Sequence, residues 1–221
     1  MTARLSLVVL VSGRGSNLRA LQSAIEQGSC AAEIRCVLSD RASAPALEYA
    51  AERGIATKVV SPQAFTDRAA WDAALAESTS ECTPGLVVLA GFMRLLGPSM
   101  LAHFPGRIVN VHPALLPAFP GKDGPAQAVA AKVALSGCTV HVVDAGVDTG
   151  PILAQAAVPV LRGDDAASLH ARIQVAEHQL LPRVVHAVAR GHYELGPVPR
   201  YVGPERDEPG LPLYAWPSLE G

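Results

Sequence analysis

Apolar residues follow two different patterns at the start of this chain. The run Leu7–Val11 is apolar without alternation, which is typical of a strand covered on both faces of a sheet. The segment Asn17–Gly28 instead carries its leucines and isoleucine at helical spacing. A glycine-containing turn, Gly13–Asn17, lies between them. The first 28 residues therefore predict a strand, a turn and a helix.

The same alternation continues as far as residue 113. Further strands are predicted at Ala32–Asp40, Ile55–Val60, Gly85–Phe92 and Arg107–Pro113, and further helices at Ala44–Gly54, Asp67–Thr79 and Pro98–Phe104. Strands that alternate with helices predict an α/β protein with one doubly wound, mostly parallel sheet and right-handed crossovers. The N-terminal half is thus expected to be Rossmann-like.

The pattern changes after Lys122. Cys138–Asp144 and Ile152–Val160 alternate more cleanly, so we expect them to be antiparallel additions at the edge of the same sheet. A long amphipathic C-terminal helix follows, with Pro182 inside it and Gly191 at its end. From residue 200 the chain is rich in proline and glycine and has no periodicity. We expect one domain over residues 1–199 and a C-terminal tail over residues 200–221.

Composition narrows the class of partner. The chain has 18 Lys and Arg against 20 Asp and Glu, a net charge of -2, which gives no electrostatic reason to expect nucleic acid or an anionic membrane. Small-molecule partners are the expectation. The four cysteines show no CxxC spacing and no nearby histidines, which favours free thiols over a zinc site and indicates the cytoplasm. The apolar N-terminal run is short and leads into SGRGSN, so it predicts a buried strand and no signal peptide.

The turn SGRGSN could hold a phosphate. Its glycines allow close approach of the backbone, and Ser16, Asn17 and the first helical N–H groups are donors supported by the helix dipole. The turn matches neither GxGxxG nor a P-loop, which disfavours dinucleotide and ATP binding. The alternative is a tight turn in which Ser16 or Asn17 caps the helix.

Two later segments carry the candidate chemistry. Asn110 and His112 lie two apart on one strand and so share a face, and Pro113 ends that strand at its carboxyl end, where open α/β sheets bind ligands. Asp148 lies in the glycine-flanked turn GVDTGP. Together these three residues would form an active site. The amide could stabilise an oxyanion, the imidazole could transfer a proton, and the carboxylate could keep the imidazole charged. The alternative for Asn110 and His112 is a satisfied core pair.

The absence of one motif bears on whether a protein nucleophile takes part in the reaction. No GxSxG motif occurs, which disfavours covalent acyl transfer and leaves direct attack by a substrate amine or by water. No metal is expected to be needed, because the site itself supplies charge.

The ordered segments SGRGSN, LAGFMRLL, NVHPALLP, DAGVDTGPIL and AEH resemble the phosphoribosylglycinamide formyltransferases, folate-dependent enzymes of purine synthesis. The resemblance extends from Leu7 to about Val188. It implies that the amine of glycinamide ribonucleotide attacks the formyl carbon of 10-formyltetrahydrofolate, the co-substrate. A homodimer is left open.

The resemblance also assigns residues to roles. The catalytic residues would be Asn110, His112 and Asp148. The substrate phosphate and phosphoribosyl group would contact Gly15, Ser16, Asn17, Gln174 and Glu177. The folate would lie against Met93, Arg94, Leu95, Leu96, Asn110, Asp144, Ala145, Gly146, Val147 and Asp148, with Arg68 near its glutamate tail.

Three details qualify this assignment. Many relatives carry a histidine after the prolines, where this chain has Lys122 and Asp123, so no role for that histidine is carried over. His141 is matched in relatives, but its neighbours in TVHVV predict a structural role in the core. The resemblance also implies a cis bond at Leu116–Pro117.

Three alternative functions stay open, and different sequence features bear on each of them. A formyltetrahydrofolate hydrolase would use water in place of the amine, but it normally carries an additional N-terminal regulatory domain, whereas this chain begins at its first strand. A methionyl-tRNA formyltransferase is disfavoured by the SGRGSN turn, the near-neutral charge and the lack of an RNA-binding extension. A noncatalytic nucleotide-phosphate-binding protein would need the turn but not the catalytic trio.

Overall fold

The computed structural model describes residues 4–203 and 213–214, and one eight-stranded sheet runs through it. Its strands, numbered along the chain, are β1 (Leu5–Val11), β2 (Ala32–Ser39), β3 (Ala56–Val59), β4 (Leu86–Leu89), β5 (Ile108–His112), β6 (Leu135–Val142), β7 (Ile152–Pro159) and β10 (Leu213–Tyr214). A separate two-stranded sheet pairs β8 (Tyr193–Glu194) with β9 (Arg200–Tyr201). The helices are α1 (Ser16–Glu26), α2 (Pro45–Ala51), α3 (Arg68–Ser80), α4 (Pro98–His103), α5 (Gly124–Ala130) and α6 (Ala166–Ala189), with a 3₁₀ turn at Pro62–Ala64.

The strand order is β10-β7-β6-β5-β4-β1-β2-β3. All pairs from β5 to β3 are parallel, whereas β5–β6, β6–β7 and β7–β10 are antiparallel. The predicted fold class, a doubly wound and mostly parallel sheet with antiparallel additions, is confirmed. The chain winds outward from β1 to β3 and then returns to β4 beside β1, so the switch point between β1 and β4 lies where such sheets bind ligands.

Strand β1 shows why its sequence is apolar without alternation. Leu7, Val9 and Val11 pack into the core on one face of the sheet, while Val8 and Leu10 pack into the core on the other. The first core includes residues of α1, α2 and α6, and the second includes residues of α3 and α4. Because successive side chains of a strand point to opposite faces, a strand between two helical layers has to be apolar at every position.

Several short elements were not apparent in the sequence. Helix α5 has only seven residues and begins with Gly124 and Pro125, so its pattern is too short to predict. Strands β9 and β10 fall within the predicted tail, and each is only two residues long. The rest of that tail lies outside the described residues, and the boundary at residue 199 stays a prediction. Within the described chain, no helix combines the length and apolar character needed to cross a membrane.

A buried carboxylate of helix α3 accepts the hydrogen bonds at the start of helix α4. Asp72 of α3 is 1% exposed and accepts hydrogen bonds from the backbone N–H groups of Gly97 (2.6 Å), Ser99 (2.8 Å) and Met100 (3.3 Å). The first N–H groups of a helix have no partner within the helix, and a carboxylate also favours the positive end of the helix dipole. Asp72 therefore fixes the chain that follows β4 onto α3.

We predict that Asp72→Ala lowers the free energy of unfolding by about 2–4 kcal/mol, because it leaves buried N–H donors without an acceptor. The matched control is Asp67→Ala, which removes the N-cap acceptor of Ala70 N–H at the exposed start of α3 and should cost about 1 kcal/mol. Chemical denaturation of the three proteins measures the difference. Equal losses in the two variants would contradict the role assigned to Asp72.

Candidate active site

The site is built where the parallel part of the sheet meets the antiparallel part. Strand β5 pairs with β4 on one side, where Asn110 is opposite Leu89, and with β6 on the other, where Asn110 is opposite His141. His112 is the last residue of β5 and Pro113 follows it, as the sequence predicts. Asn110 is half-buried and His112 is 4% exposed.

Asp148 joins these side chains. Its Oδ2 accepts a hydrogen bond from Gly121 N–H at 2.8 Å and lies 3.3 Å from His112 Nδ1. Its Oδ1 lies 3.5 Å from both Asn110 Nδ2 and His141 Nε2. Asp148 has a φ of 54°, in the left-handed region that a non-glycine residue rarely adopts. The structure thus brings the three predicted catalytic residues together.

The surroundings of Asp148 keep it ionised. Burial alone would raise the pKa of this carboxyl, but hydrogen bonds from His141 and Gly121 and the charges of the nearby imidazoles outweigh burial and lower the pKa below its ordinary value. His112 Nε2 lies 2.9 Å from the carbonyl oxygen of Phe119, while its Nδ1 faces Asp148. Since both ring nitrogens face acceptors, only the doubly protonated imidazolium donates to both.

His141 belongs to this cluster, which reasoning from the sequence did not show. The side chain is 2% exposed, as expected for the core, but its Nε2 also lies 3.2 Å from Asn110 Nδ2. The pairing of β5 with β6 is the feature that reveals this contact, because residues directly opposite on antiparallel strands have their side chains close together. Its contacts with Asn110 and Asp148 add a second imidazole to the site.

The turn after β1 leaves the start of helix α1 without a side-chain cap. The N-cap residue is Gly15, and no side chain accepts the first helical N–H groups. The alternative in which Ser16 or Asn17 caps the helix is therefore wrong. Gly15 has a φ of 74°, and a Cβ on it would lie 2.6 Å from Ala46 Cβ of α2. Glycine is thus required at position 15 by the backbone and by packing, whether or not a phosphate binds.

Two of the residues expected to contact the phosphoribosyl group face each other in the structure. Asn17 Nδ2 donates to Glu177 Oε2 at 2.9 Å, and both side chains are buried. Burial raises the pKa of Glu177 to about 7, although the hydrogen bond from Asn17 lowers it in part. Asn17 Oδ1 is buried and has no hydrogen-bond partner. Gln174, one turn earlier on α6, is half-buried.

The segment Met93–Leu96 follows β4 and presents apolar side chains to solvent. Met93 is 64% exposed and Leu95 is 52% exposed, while Leu96 is half-buried. Arg68 Nη2 donates to the backbone carbonyl oxygen of Leu95 at 3.3 Å, so the residue expected near the glutamate tail does lie beside this segment. Large exposed apolar side chains close together are typical of surfaces that bind a ligand.

The turn Asp144–Asp148 is shaped by its first residue. Asp144 Oδ1 accepts from Gly146 N–H at 3.0 Å and from Thr149 Oγ1 at 2.8 Å. A Cβ on Gly146 would collide with Thr149 Oγ1. Ala145 and Val147 are exposed. The side chain of Asp144 thus holds the turn that delivers Asp148.

The segment Leu115–Asp123 connects β5 to α5 and includes two contacts made by the catalytic residues. Its Phe119 carbonyl faces His112 and its Gly121 N–H donates to Asp148. The Leu116–Pro117 bond is cis, which confirms the expectation from the resemblance. Asp123, one of the two residues that stand where relatives have a histidine, is the N-cap of α5 and has a φ of 61°. Lys122 contributes its backbone carbonyl to Gln127 Nε2 at 2.8 Å.

Comparison with known proteins supports one family. Residues 5–185 match the sequence profile of a family described as Formyl transferase. A phosphoribosylglycinamide formyltransferase of Mycobacterium tuberculosis is 52% identical over 83% of this chain and 84% of its own length. The enzyme of that name from Escherichia coli is 40% identical over 86% of this chain and 90% of its own length.

Solved structures agree with the sequence comparison. The crystal structure of glycinamide ribonucleotide transformylase 1 from Symbiobacterium toebii superposes with a TM-score of 0.88 at 43% identity, covering 92% of this chain and 96% of its own. A phosphoribosylglycinamide formyltransferase from Brucella melitensis superposes with a TM-score of 0.80 at 44% identity, covering 87% of this chain and 100% of its own. The chain belongs to the formyl transferase family and is a formyltransferase enzyme. The relatives that it matches include the phosphoribosylglycinamide formyltransferases of Mycobacterium tuberculosis and Escherichia coli.

We predict that Gly15→Ala destabilises the fold by about 1–3 kcal/mol, because the new Cβ meets Ala46 and the backbone there is left-handed. Adding Ala46→Gly to this variant should recover the part of the lost stability that is due to the collision with the Ala46 side chain. The matched control is Gly13→Ala, since a Cβ on Gly13 meets nothing within 4 Å. Thermal unfolding measures all four proteins. A fully stable Gly15→Ala variant would contradict the packing role and leave ligand approach as the reason for glycine.

We predict that the stability of the protein falls with rising pH in part because of Glu177. Its carboxyl binds a proton in the folded state up to about pH 7, whereas the unfolded carboxyl loses it near its ordinary pKa of 4.5. The contribution of Glu177 to stability is therefore fully present below pH 4.5, is lost between pH 4.5 and 7 and is absent above, by about 3 kcal/mol in total. Glu177→Gln should remove this decline. Urea unfolding at several pH values compares the two proteins, and parallel pH profiles would refute the assignment.

Proposed function

We propose that this formyltransferase transfers the formyl group of 10-formyltetrahydrofolate to the amine of glycinamide ribonucleotide, a step of purine synthesis. The relatives that share 40–52% of its residues carry the corresponding name. The single observation that carries the chemistry is the cluster of Asn110, His112 and Asp148 at the end of β5. Asn110 and His112 each lie within 3.5 Å of the Asp148 carboxylate, so the cluster combines an amide donor, an imidazole and an ionised carboxylate.

The cluster fits attack of an amine on a formyl carbon. As the amine nitrogen bonds to that carbon, the carbonyl π electrons move onto the oxygen, and a tetrahedral intermediate with an oxyanion forms. The amide of Asn110 and the imidazolium of His112 supply donor and positive charge for this oxygen. The amine proton then passes to the departing N10 of the folate as the bond from carbon to N10 breaks, and the products are the formylated amine and tetrahydrofolate.

The geometry of the cluster supports different tasks for the two donors. Both ring nitrogens of His112 are engaged, one with Phe119 and one with Asp148. Asn110 Nδ2 also faces partners, but they lie farther away, at 3.2 Å from His141 Nε2 and 3.5 Å from Asp148 Oδ1. The amide of Asn110 is therefore the more easily redirected donor, and His112 would reach the oxyanion only after its Nε2 leaves the Phe119 carbonyl, 2.9 Å away. Asp148 favours the charged imidazole in both arrangements, since its low pKa keeps it ionised. It is also the carboxylate in the cluster that can hold water for the proton transfer.

The binding regions follow from the strand order. The uncapped start of α1 offers backbone N–H groups and a helix dipole to the phosphate of glycinamide ribonucleotide. Gln174 and Glu177 of α6 would contact its ribose. The exposed apolar side chains of Met93 and Leu95 would cover the flat ring of the folate, together with the turn Asp144–Asp148. The chains that follow β1, β4 and β5 all lie at one sheet edge, because these strands are neighbours and parallel.

The test is to incubate the protein with 10-formyltetrahydrofolate, with and without glycinamide ribonucleotide, and to follow tetrahydrofolate by absorbance and formylated product by mass spectrometry. We expect tetrahydrofolate release only when the amine is present, in equal amount to the formylated product. Release at the same rate without the amine would identify a hydrolase. Binding of both ligands without any release would identify a noncatalytic protein.

We predict that Asp148→Asn and His112→Ala each lower turnover by on the order of 100-fold or more while ligand binding changes little, because each acts on charge that develops in the transition state. If Asp148 acts through His112, the double variant should lose much less than the product of the two single losses. Single-turnover rates and equilibrium binding of a non-reactive folate analogue measure the two effects. A double loss equal to the product would show that the two residues act independently.

A further inference from the structure

A second buried carboxylate lies at the same sheet edge, outside the catalytic cluster. Asp40 directly follows β2, and its side chain is 0% exposed. Its Oδ2 accepts a hydrogen bond from Arg94 Nε at 2.8 Å, and Arg41 Nε lies 3.8 Å from the same oxygen. Its Oδ1 is buried without a hydrogen-bond partner. A buried carboxylate without a cationic partner is strongly unfavourable, so Asp40 depends on Arg94 for its short contact.

The other partner in this contact lies in the middle of the segment Met93–Leu96. Met93 and Leu95 on either side of Arg94 are more than half exposed. The Arg94 side chain is itself 45% exposed, and its Nε is the atom that reaches back to the buried carboxylate. The contact with Asp40 therefore fixes one side of the Arg94 side chain to the protein, while the apolar side chains before and after it stay exposed.

The anchor reaches across the sheet. Asp40 follows β2 and Arg94 follows β4, and β1 lies between these two strands. Ser12, which follows β1, makes a second attachment: its N–H donates to Gly91 O at 3.2 Å, and its Oγ accepts from Met93 N–H at 2.9 Å. The segment is therefore held on this side by two neighbouring strand ends, and only one of the two attachments carries charge.

We propose that Asp40 is a positioning residue for the formyl donor, acting through Arg94 to hold the segment Met93–Leu96 with its apolar side chains facing outward. The inference rests on the proposed function, since that function places the folate on this segment. Asp40 itself touches neither substrate. Its contribution is to keep the surface formed before the folate arrives, so that less ordering accompanies binding.

The experiment compares Asp40→Asn, Arg94→Met and the double variant with the parent protein. Asp40→Asn removes the charge at nearly constant shape, and Arg94→Met keeps an unbranched side chain of similar reach. We expect each single variant to raise the KM for 10-formyltetrahydrofolate about tenfold, in line with the loss of a charged hydrogen bond. The kcat and the KM for glycinamide ribonucleotide should stay within about twofold. The double variant should have a KM for 10-formyltetrahydrofolate no higher than that of the single variant with the higher KM, because the same contact is lost in all three variants.

Two further variants serve as controls. Arg41→Gln removes the longer and more exposed partner of the same carboxylate and should leave every constant unchanged. Arg94→Lys retains the charge and should bind the folate better than Arg94→Met. If Asp40→Asn fails to fold, the comparison of Arg94→Met with Arg94→Lys still tests the contact, since the Arg94 side chain is 45% exposed.

Direct binding of a non-reactive folate analogue, measured by calorimetry without glycinamide ribonucleotide, separates this proposal from the proposed function. A parent protein that binds the analogue but forms no formylated product overturns the function and leaves the positioning role to be judged by binding. A parent protein that is active, together with an Asp40→Asn variant whose KM and analogue binding are unchanged, overturns the positioning role. Tighter binding of the folate analogue by Asp40→Asn would also overturn it, because Asp40 would then compete with the folate for Arg94.

Discussion

The carboxylate of Asp148 connects the parts of the molecule that make up the catalytic cluster. It accepts from the backbone of Gly121, lies against two imidazoles from β5 and β6 and is within reach of the Asn110 amide. The contacts come from three segments, namely β5, β6 and the chain before α5, so the geometry of the cluster depends on all three at once. The left-handed backbone at Asp148 is maintained because the surrounding contacts determine where its side chain must lie.

Strand β5 makes this convergence possible because it has two different neighbours. Its parallel pairing with β4 places its carboxyl end beside the chain that follows β4, where the exposed apolar segment lies. Its antiparallel pairing with β6 brings His141 opposite Asn110 and directs the chain after β6 into the turn that delivers Asp148. The two pairings thus bring residues from three segments, β5, β6 and the chain that follows β4, to one part of the sheet.

Two carboxylates near this sheet edge differ in pKa because their partners differ. Hydrogen bonds and imidazoles lower the pKa of Asp148 despite its burial, whereas Glu177 has one amide partner and its pKa rises to about 7. Burial alone favours the neutral acid in each case, and the number and charge of the donors decide the outcome. One edge therefore contains a carboxylate that stays ionised and one that titrates near neutral pH.

The sequence by itself determined the fold class, the order of the long elements and the pairing of Asn110 with His112, because apolar periodicity and the alternation of side chains along a strand are local properties. The segments that resemble the family also placed Asp148 in the cluster. Only the tertiary structure decided that His141 faces Asp148, that Asp40 holds Arg94 and that Gly15 packs against Ala46. These contacts join residues on different elements, and no local pattern records them. They depend on strand order and register, which are set by the packing of the whole sheet.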